Sequence, residues 1–164
     1  MTLRSCLPVL ALSMLSVSAD AALVTTAPGE TCALLKGVGL ATRGWKNQYE
    51  DQFGCSSPYK EIGTAFPLAN NLAYYVDGGP TTASRAKLVL NVNDRESAVP
   101  AHDELLKAAQ ILSAKVIGIP LPSEIAAAIA SGTSLSKSAG RATVEVLRTD
   151  WPTGKGYEVK IVFE

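Results

Sequence analysis

Hydrophobic and polar residues alternate through the middle of the chain. Leu72, Tyr74 and Val76 occupy one parity and Ala73, Tyr75 and Asp77 the other. After Gly78-Gly79-Pro80 the alternation resumes, with Ala86, Leu88, Leu90 and Val92 set against Lys87, Val89, Asn91 and Asn93. A period of two predicts a pair of antiparallel strands joined by a loop. The period then lengthens over residues 100–117, where Leu105, Ala109, Leu112 and Val116 recur three or four apart. That spacing predicts a helix, with Pro100 near its start and Asp103 and Glu104 in its first turn. Pro120 and Pro122 end it, and Pro122-Ser123-Glu124 opens a shorter helix running through Ile125 and Ile129 to Gly132. Ser134 to Lys137, between Gly132 and Gly140, reads as a polar helix-to-strand loop. Alternation returns with Val144 and Val146 between Thr143, Glu145 and Leu147. A turn-rich stretch over 150–156 leads into Tyr157, Val159, Ile161 and Phe163, which alternate with Glu158, Lys160 and Val162 and predict a second hairpin.

The N-terminal third is less periodic. Residues 29–42 place Cys32, Leu35 and Val38 three apart behind Pro28-Gly29-Glu30-Thr31, which predicts a short helix. Residues 43–58 hold Trp45, Tyr49 and Phe53 at four-residue spacing among charges and read as a turn of helix or an ordered loop tied down by Cys55. Strands separated from segregated helices define an α+β domain: a mostly antiparallel sheet of two hairpins with helices on one face. In element order alone this is similar to small secretion-chaperone domains, and no motif carries the likeness further.

The first 21 residues change the picture. Arg4 precedes an apolar run from Leu7 to Val17, and Ala19-Asp20-Ala21 has the small-x-small spacing read by a signal peptidase. A spanning helix needs about 20 apolar residues, whereas this run contains Ser13, Ser16 and Ser18 and ends at Asp20. The expectation is a cleaved signal peptide over 1–21 and a single domain over 22–164, exported to a periplasmic or secreted location. Arg4 and Asp20 leave with the peptide, so 15 Lys+Arg and 15 Asp+Glu each fall by one, to 14 of each. That balance disfavours nucleic acid and acidic membranes as partners. No later segment is long and apolar enough for a membrane span.

An oxidising compartment favours pairing the two cysteines that remain, and a Cys32–Cys55 disulfide is expected. Neither cysteine belongs to a C-x-x-C, and His102 is the only histidine, so a metal site or redox pair is not expected. His102, beside Asp103 and Glu104, reads as a surface histidine at a helix start. Ser134-Leu135-Ser136-Lys137 matches S-x-x-K, a spacing at which lysine can activate serine, but no S-D-N or K-T-G follows. Gly37-Val38-Gly39 lacks the third glycine of a dinucleotide fingerprint, and Thr153-Gly154-Lys155-Gly156 puts Gly156 where a P-loop requires Ser or Thr. Adjacent carboxylates, Glu50 with Asp51 and Asp103 with Glu104, do not face each other on a helix. No catalytic residue, cofactor or metal is expected.

What remains is binding. If the even-numbered positions around Tyr74 and Leu88 face the helices, the other sheet face displays Tyr75, Val89, Leu147 and Val162 among Lys87, Asn91, Thr143, Glu145, Glu158 and Lys160. An apolar centre with a charged rim has the composition of an interaction surface for a protein partner or a second copy. The sequence therefore points to an exported, non-enzymatic binding module, an accessory or assembly factor. An inhibitor or immunity-type protein is the first alternative, and an enzyme with an unrecognised site the second.

Overall fold

In the computed structural model residues 22–64 and 66–164 are described, so the signal peptide expected over 1–21 lies outside the described residues. The described chain is built on one antiparallel sheet. Its strands are β1 (Lys46–Tyr49), β2 (Gln52–Ser56), β3 (Lys60–Ile62), β4 (Asn70–Gly78), β5 (Ala83–Val92), β6 (Leu135–Ala139), β7 (Ala142–Asp150) and β8 (Tyr157–Phe163). They lie in the order β1-β2-β4-β5-β8-β7-β6, with β3 beside β2 along the same edge of β4. The helices are α1 (Pro28–Ala33), α2 (Ala98–Val116) and α3 (Ser123–Ser131), with a 3-10 turn at Lys36–Val38.

The alternating residues do what their period requires. Leu72, Tyr74 and Val76 on β4, Leu88 and Leu90 on β5, Val144 and Val146 on β7, and Val159, Ile161 and Phe163 on β8 are all buried on the helix side. Helix α2 meets them with Ala101, Leu105, Ala108, Leu112 and Val116, and α3 adds Ile125 and Ile129. Tyr74 brings its hydroxyl into this core and donates to the Thr31 carbonyl at 2.7 Å, while burial drives its phenol well above the ordinary tyrosine range. Gly132, at φ 63°, closes α3 in the left-handed conformation, and Thr133 N–H reaches back to the Ala128 carbonyl.

Several expectations are corrected. Residues 43–58 form the β1–β2 hairpin rather than helix or loop, because β1 is exposed on both faces and carries no hydrophobic period. The short helix expected within 29–42 is present as α1 but stops at Ala33; a 3-10 turn follows and ends at Gly39, φ 84°. Helix α2 begins two residues earlier than Pro100, so Asp103 and Glu104 fall in its second turn. Ser134–Lys137 is largely strand: β6 pairs with β7 through a two-residue loop that opens with Gly140 at φ 65°, as a tight hairpin requires. His102 is buried, its Nδ1 donating to the Ile129 carbonyl at 2.6 Å and its Nε2 facing the Tyr157 hydroxyl at 2.9 Å.

Tyr157 is in turn covered by the Arg148 guanidinium, 3.8 Å from its ring centre, and Asp150 binds both Arg148 and Arg95. Gly156, next to it, has no room for a side chain: a Cβ there would lie 2.3 Å from the Val92 carbonyl oxygen and 2.4 Å from the Trp151 ring. Gly156→Ala is therefore expected to cost about 1–3 kcal/mol through forced repacking, measurable by urea denaturation. An unchanged midpoint would show that the β7–β8 connection shifts freely.

Cys32 and Cys55 form a disulfide, Cα–Cα 6.1 Å, that ties α1 to β2 across a sequence separation of 23. Both are buried in the core. Removing it with Cys32→Ser and Cys55→Ser together is expected to lower stability by about 3 kcal/mol on the loop-entropy scale. Equal unfolding midpoints for the oxidised and double-variant proteins would contradict this.

Candidate functional site

All three helices pack against one side of the sheet; no described helix covers the other, although Ala73 and Asn71 on it are buried at the β4 end. Register places its side chains in rows. One row runs Tyr75, Lys87, Val162, Glu145 and Ser136 from β4 to β6; the next runs Ala73, Val89, Lys160 and Leu147 from β4 to β7. A third joins Asn71, Asn91, Glu158 and Thr149, in which Asn91 donates to the Asn71 side-chain oxygen at 2.9 Å.

The six residues singled out from sequence all lie on this face, and they take three different roles. Val89 and Val162 are 8% and 6% exposed, sunk between the long side chains of neighbouring strands, so they form the floor. Leu147 is 42% exposed and is the apolar side chain that projects. Tyr75 is half-buried, with the Lys87 ammonium 5.9 Å from its ring centre. Lys87 and Glu158 are rim charges engaged in ion pairs, Lys87 with Asp77 at 2.5 Å and Glu158 with Lys160 at 3.1 Å. Arg85 and Glu164 pair at 2.6 Å on the same face.

One residue of this surface carries no sequence signal. Tyr59, 59% exposed, follows Pro58 in a non-periodic segment, and the pairing of β3 with β4 brings it near Tyr75. Glu145 lacks an ion-pair partner among the described residues and accepts a hydrogen bond from Ser136 at 3.1 Å. Between Glu145, Leu147, Lys160 and Lys87 lies a depression of about 290 Å³ floored by Val162.

The chemistry elsewhere is spent on structure. Ser134 accepts a hydrogen bond from the Arg148 N–H, while Lys137 donates to Glu124 at the start of α3, so the S-x-x-K residues are not brought together. That contact holds the Glu124 carboxyl down at about 2. No cluster of three or more His, Cys, Asp or Glu that could hold a metal occurs among the described residues. No helix there is long and apolar enough to cross a membrane.

Compared with protein families, curated proteins and solved structures, the chain matches none.

Tyr75 offers a probe of the surface. Burial, then the neighbouring Tyr59 hydroxyl, then the Glu158 charge push its phenol from 10 up to about 12. The folded protein therefore favours the neutral phenol, a contribution present below pH 10 and lost as pH rises through about 12. Tyr59→Phe is expected to bring the Tyr75 titration back toward 10, followed by the ring-carbon shift in NMR. A Tyr75 that titrates at the ordinary value in both proteins would mean the two rings do not meet.

Proposed function

We propose that this protein is an exported binding module, an accessory or assembly factor that recognises a protein partner through the sheet face bearing Tyr75 and Leu147. The observation that supports this most is the bare face itself: a half-buried tyrosine and an exposed leucine stand over an apolar floor inside a ring of charges. Interfaces concentrate their energy in such a centre, with the rim excluding water. The buried Cys32–Cys55 disulfide and the absence of a membrane-crossing helix among the described residues are compatible with an oxidising, extracytoplasmic location. Export itself rests on residues 1–21 and is read out as an intact mass beginning at Ala22.

A photo-crosslinking side chain at position 147, expressed in the native host, is expected to give one defined protein adduct. The same side chain at Ala127, on the helix side, is expected to give none. Tyr75→Ala with Leu147→Ala should weaken the captured complex by about 1–3 kcal/mol per anchor while the protein stays folded. Adducts that form equally from both sides, or survive the double variant, would overturn the assignment of the face. A single stoichiometric enzyme in the adduct would make the protein an inhibitor.

A further inference from the structure

The chain enters the folded domain without a spacer. Ala22, the first residue after the expected cleavage point, already donates its N–H to the Arg141 carbonyl in the β6–β7 turn at 3.1 Å. Leu23, next along, is buried in the hydrophobic core. Val24 N–H then donates to the Val116 carbonyl at 2.8 Å, and the Thr25 hydroxyl to the Lys115 carbonyl at 2.7 Å. Both carbonyls belong to the last turn of α2, where the helix supplies no N–H to meet them. The Thr26 carbonyl accepts from Ala83 N–H at the start of β5 at 2.9 Å, and buried Thr31 donates its hydroxyl back to the Thr25 and Ala27 carbonyls. Residues 22–27 are thus a strap. It fastens the end of α2, the β6–β7 turn and the start of β5, with the Leu23 side chain plugged into the core.

Seating of this strap and hydrolysis of the Ala21–Ala22 bond exclude each other. A protease holds the residues flanking its scissile bond extended and free of other partners, so it acts on segments that are exposed or that open. With the strap seated, Ala22, Leu23 and Val24 are all committed to the domain, and the nitrogen of the bond itself is the one that donates to Arg141. Hydrolysis adds one water across the bond, leaving Ala21 as a carboxylate and Ala22 as an ammonium. The ammonium keeps a hydrogen for the Arg141 carbonyl and adds charge to that contact, so the cut favours the seated strap.

Resting on the reading of residues 1–21 as a cleaved leader, we propose that residues 22–27 are a strap poised to close on processing. The Ala21–Ala22 bond is cut while the strap is off the domain, and the strap seats afterwards to complete the fold.

The test compares two refolded, oxidised full-length chains in mild detergent, each treated with a signal peptidase and read by intact mass. One is the wild type, and the other carries a flexible Gly/Ser spacer of about six residues between Ala22 and Leu23. The spacer moves the bond off the domain and leaves the residues before it unchanged. The wild type should be cut at least about tenfold more slowly than the spacer variant, because only its opened fraction is a substrate. Equal rates would overturn the proposal. No cut at Ala21–Ala22 in either chain would overturn the leader reading and the proposal with it. A second measurement uses the mature protein beginning at Ala22. Its Val24 amide should exchange hydrogen slowly although the side chain beside it is exposed. Exchange at the open-chain rate would show that no strap is seated, and would overturn the proposal while leaving the leader reading intact.

Discussion

The pairing of β5 with β8 is the constraint on which the rest of the architecture depends. It joins Ala86 to Phe163 and Val92 to Tyr157, residues far apart in the chain, and the register holds without a bulge. Without it the sheet would be two smaller assemblies, and isolated hairpins are marginal in water. With it, everything between Asn93 and Gly156 must leave from the end of β5 and return alongside β8. Helices α2 and α3 are thereby laid across the side where Leu88, Leu90, Val159 and Ile161 already point. Asn70 fixes the departure: its side chain donates to the Asp94 and Ser97 carbonyls and accepts from the Asp94 N–H, a buried clamp on the turn into α2. His102 and Tyr157 fix the return, tying α2 and the end of α3 to the start of β8.

Because all the helices are committed to one side, the other is left with side chains that must make their own solvent-compatible surface. It does so by cross-strand pairing. Asp77 with Lys87, Arg85 with Glu164, and Glu158 with Lys160 satisfy most of its charges locally. Exposed pairs of this kind contribute little to stability, roughly 0–1 kcal/mol each, but their aliphatic stems cover Val89 and Val162. A partner on this face would have to accommodate charges already paired, so net electrostatic attraction is small and the affinity must come from Leu147, Tyr75 and Tyr59.

The sequence was most legible where one face of an element is buried. β4, β5, β7, β8, α2 and α3 all place large apolar residues on one side, and their periods predict them within a few residues. The Cys32–Cys55 pairing was legible for a different reason, since two cysteines left in an oxidising setting have one intramolecular choice. β1 and β6 were not legible. Lys46–Tyr49 is exposed throughout, and β6 reads Leu-Ser-Lys-Ser-Ala, so neither shows an alternation strong enough to separate strand from loop. His102 was misplaced because its neighbours Asp103 and Glu104 are polar, whereas its own position falls on the α2 face shared with Ala101 and Leu105. The Tyr59–Tyr75 proximity and the Lys60–Glu104 ion pair join residues 16 and 44 positions apart, and nothing local to either residue encodes such a meeting.

The two sheet edges explain why recognition would fall to a face rather than to strand addition. An open edge is a template for another strand unless it is shortened, bulged or charged. β1 has four residues, a register shift between Asn47 and Tyr49, and Glu50 at φ 47° in its turn. β6 carries Lys137 at its centre, drawn toward α3 by Glu124. In an added antiparallel strand, the residue opposite Lys137 would enter beside that exposed ion pair and under the helix, where a charged lysine at the centre of the edge disfavours pairing. Both edges thus resist extension for separate reasons, the first by geometry and the second by charge. The broad surface between them, with Leu147 exposed and Tyr75 half-buried over its apolar floor, is the part of the sheet left open to a macromolecular partner.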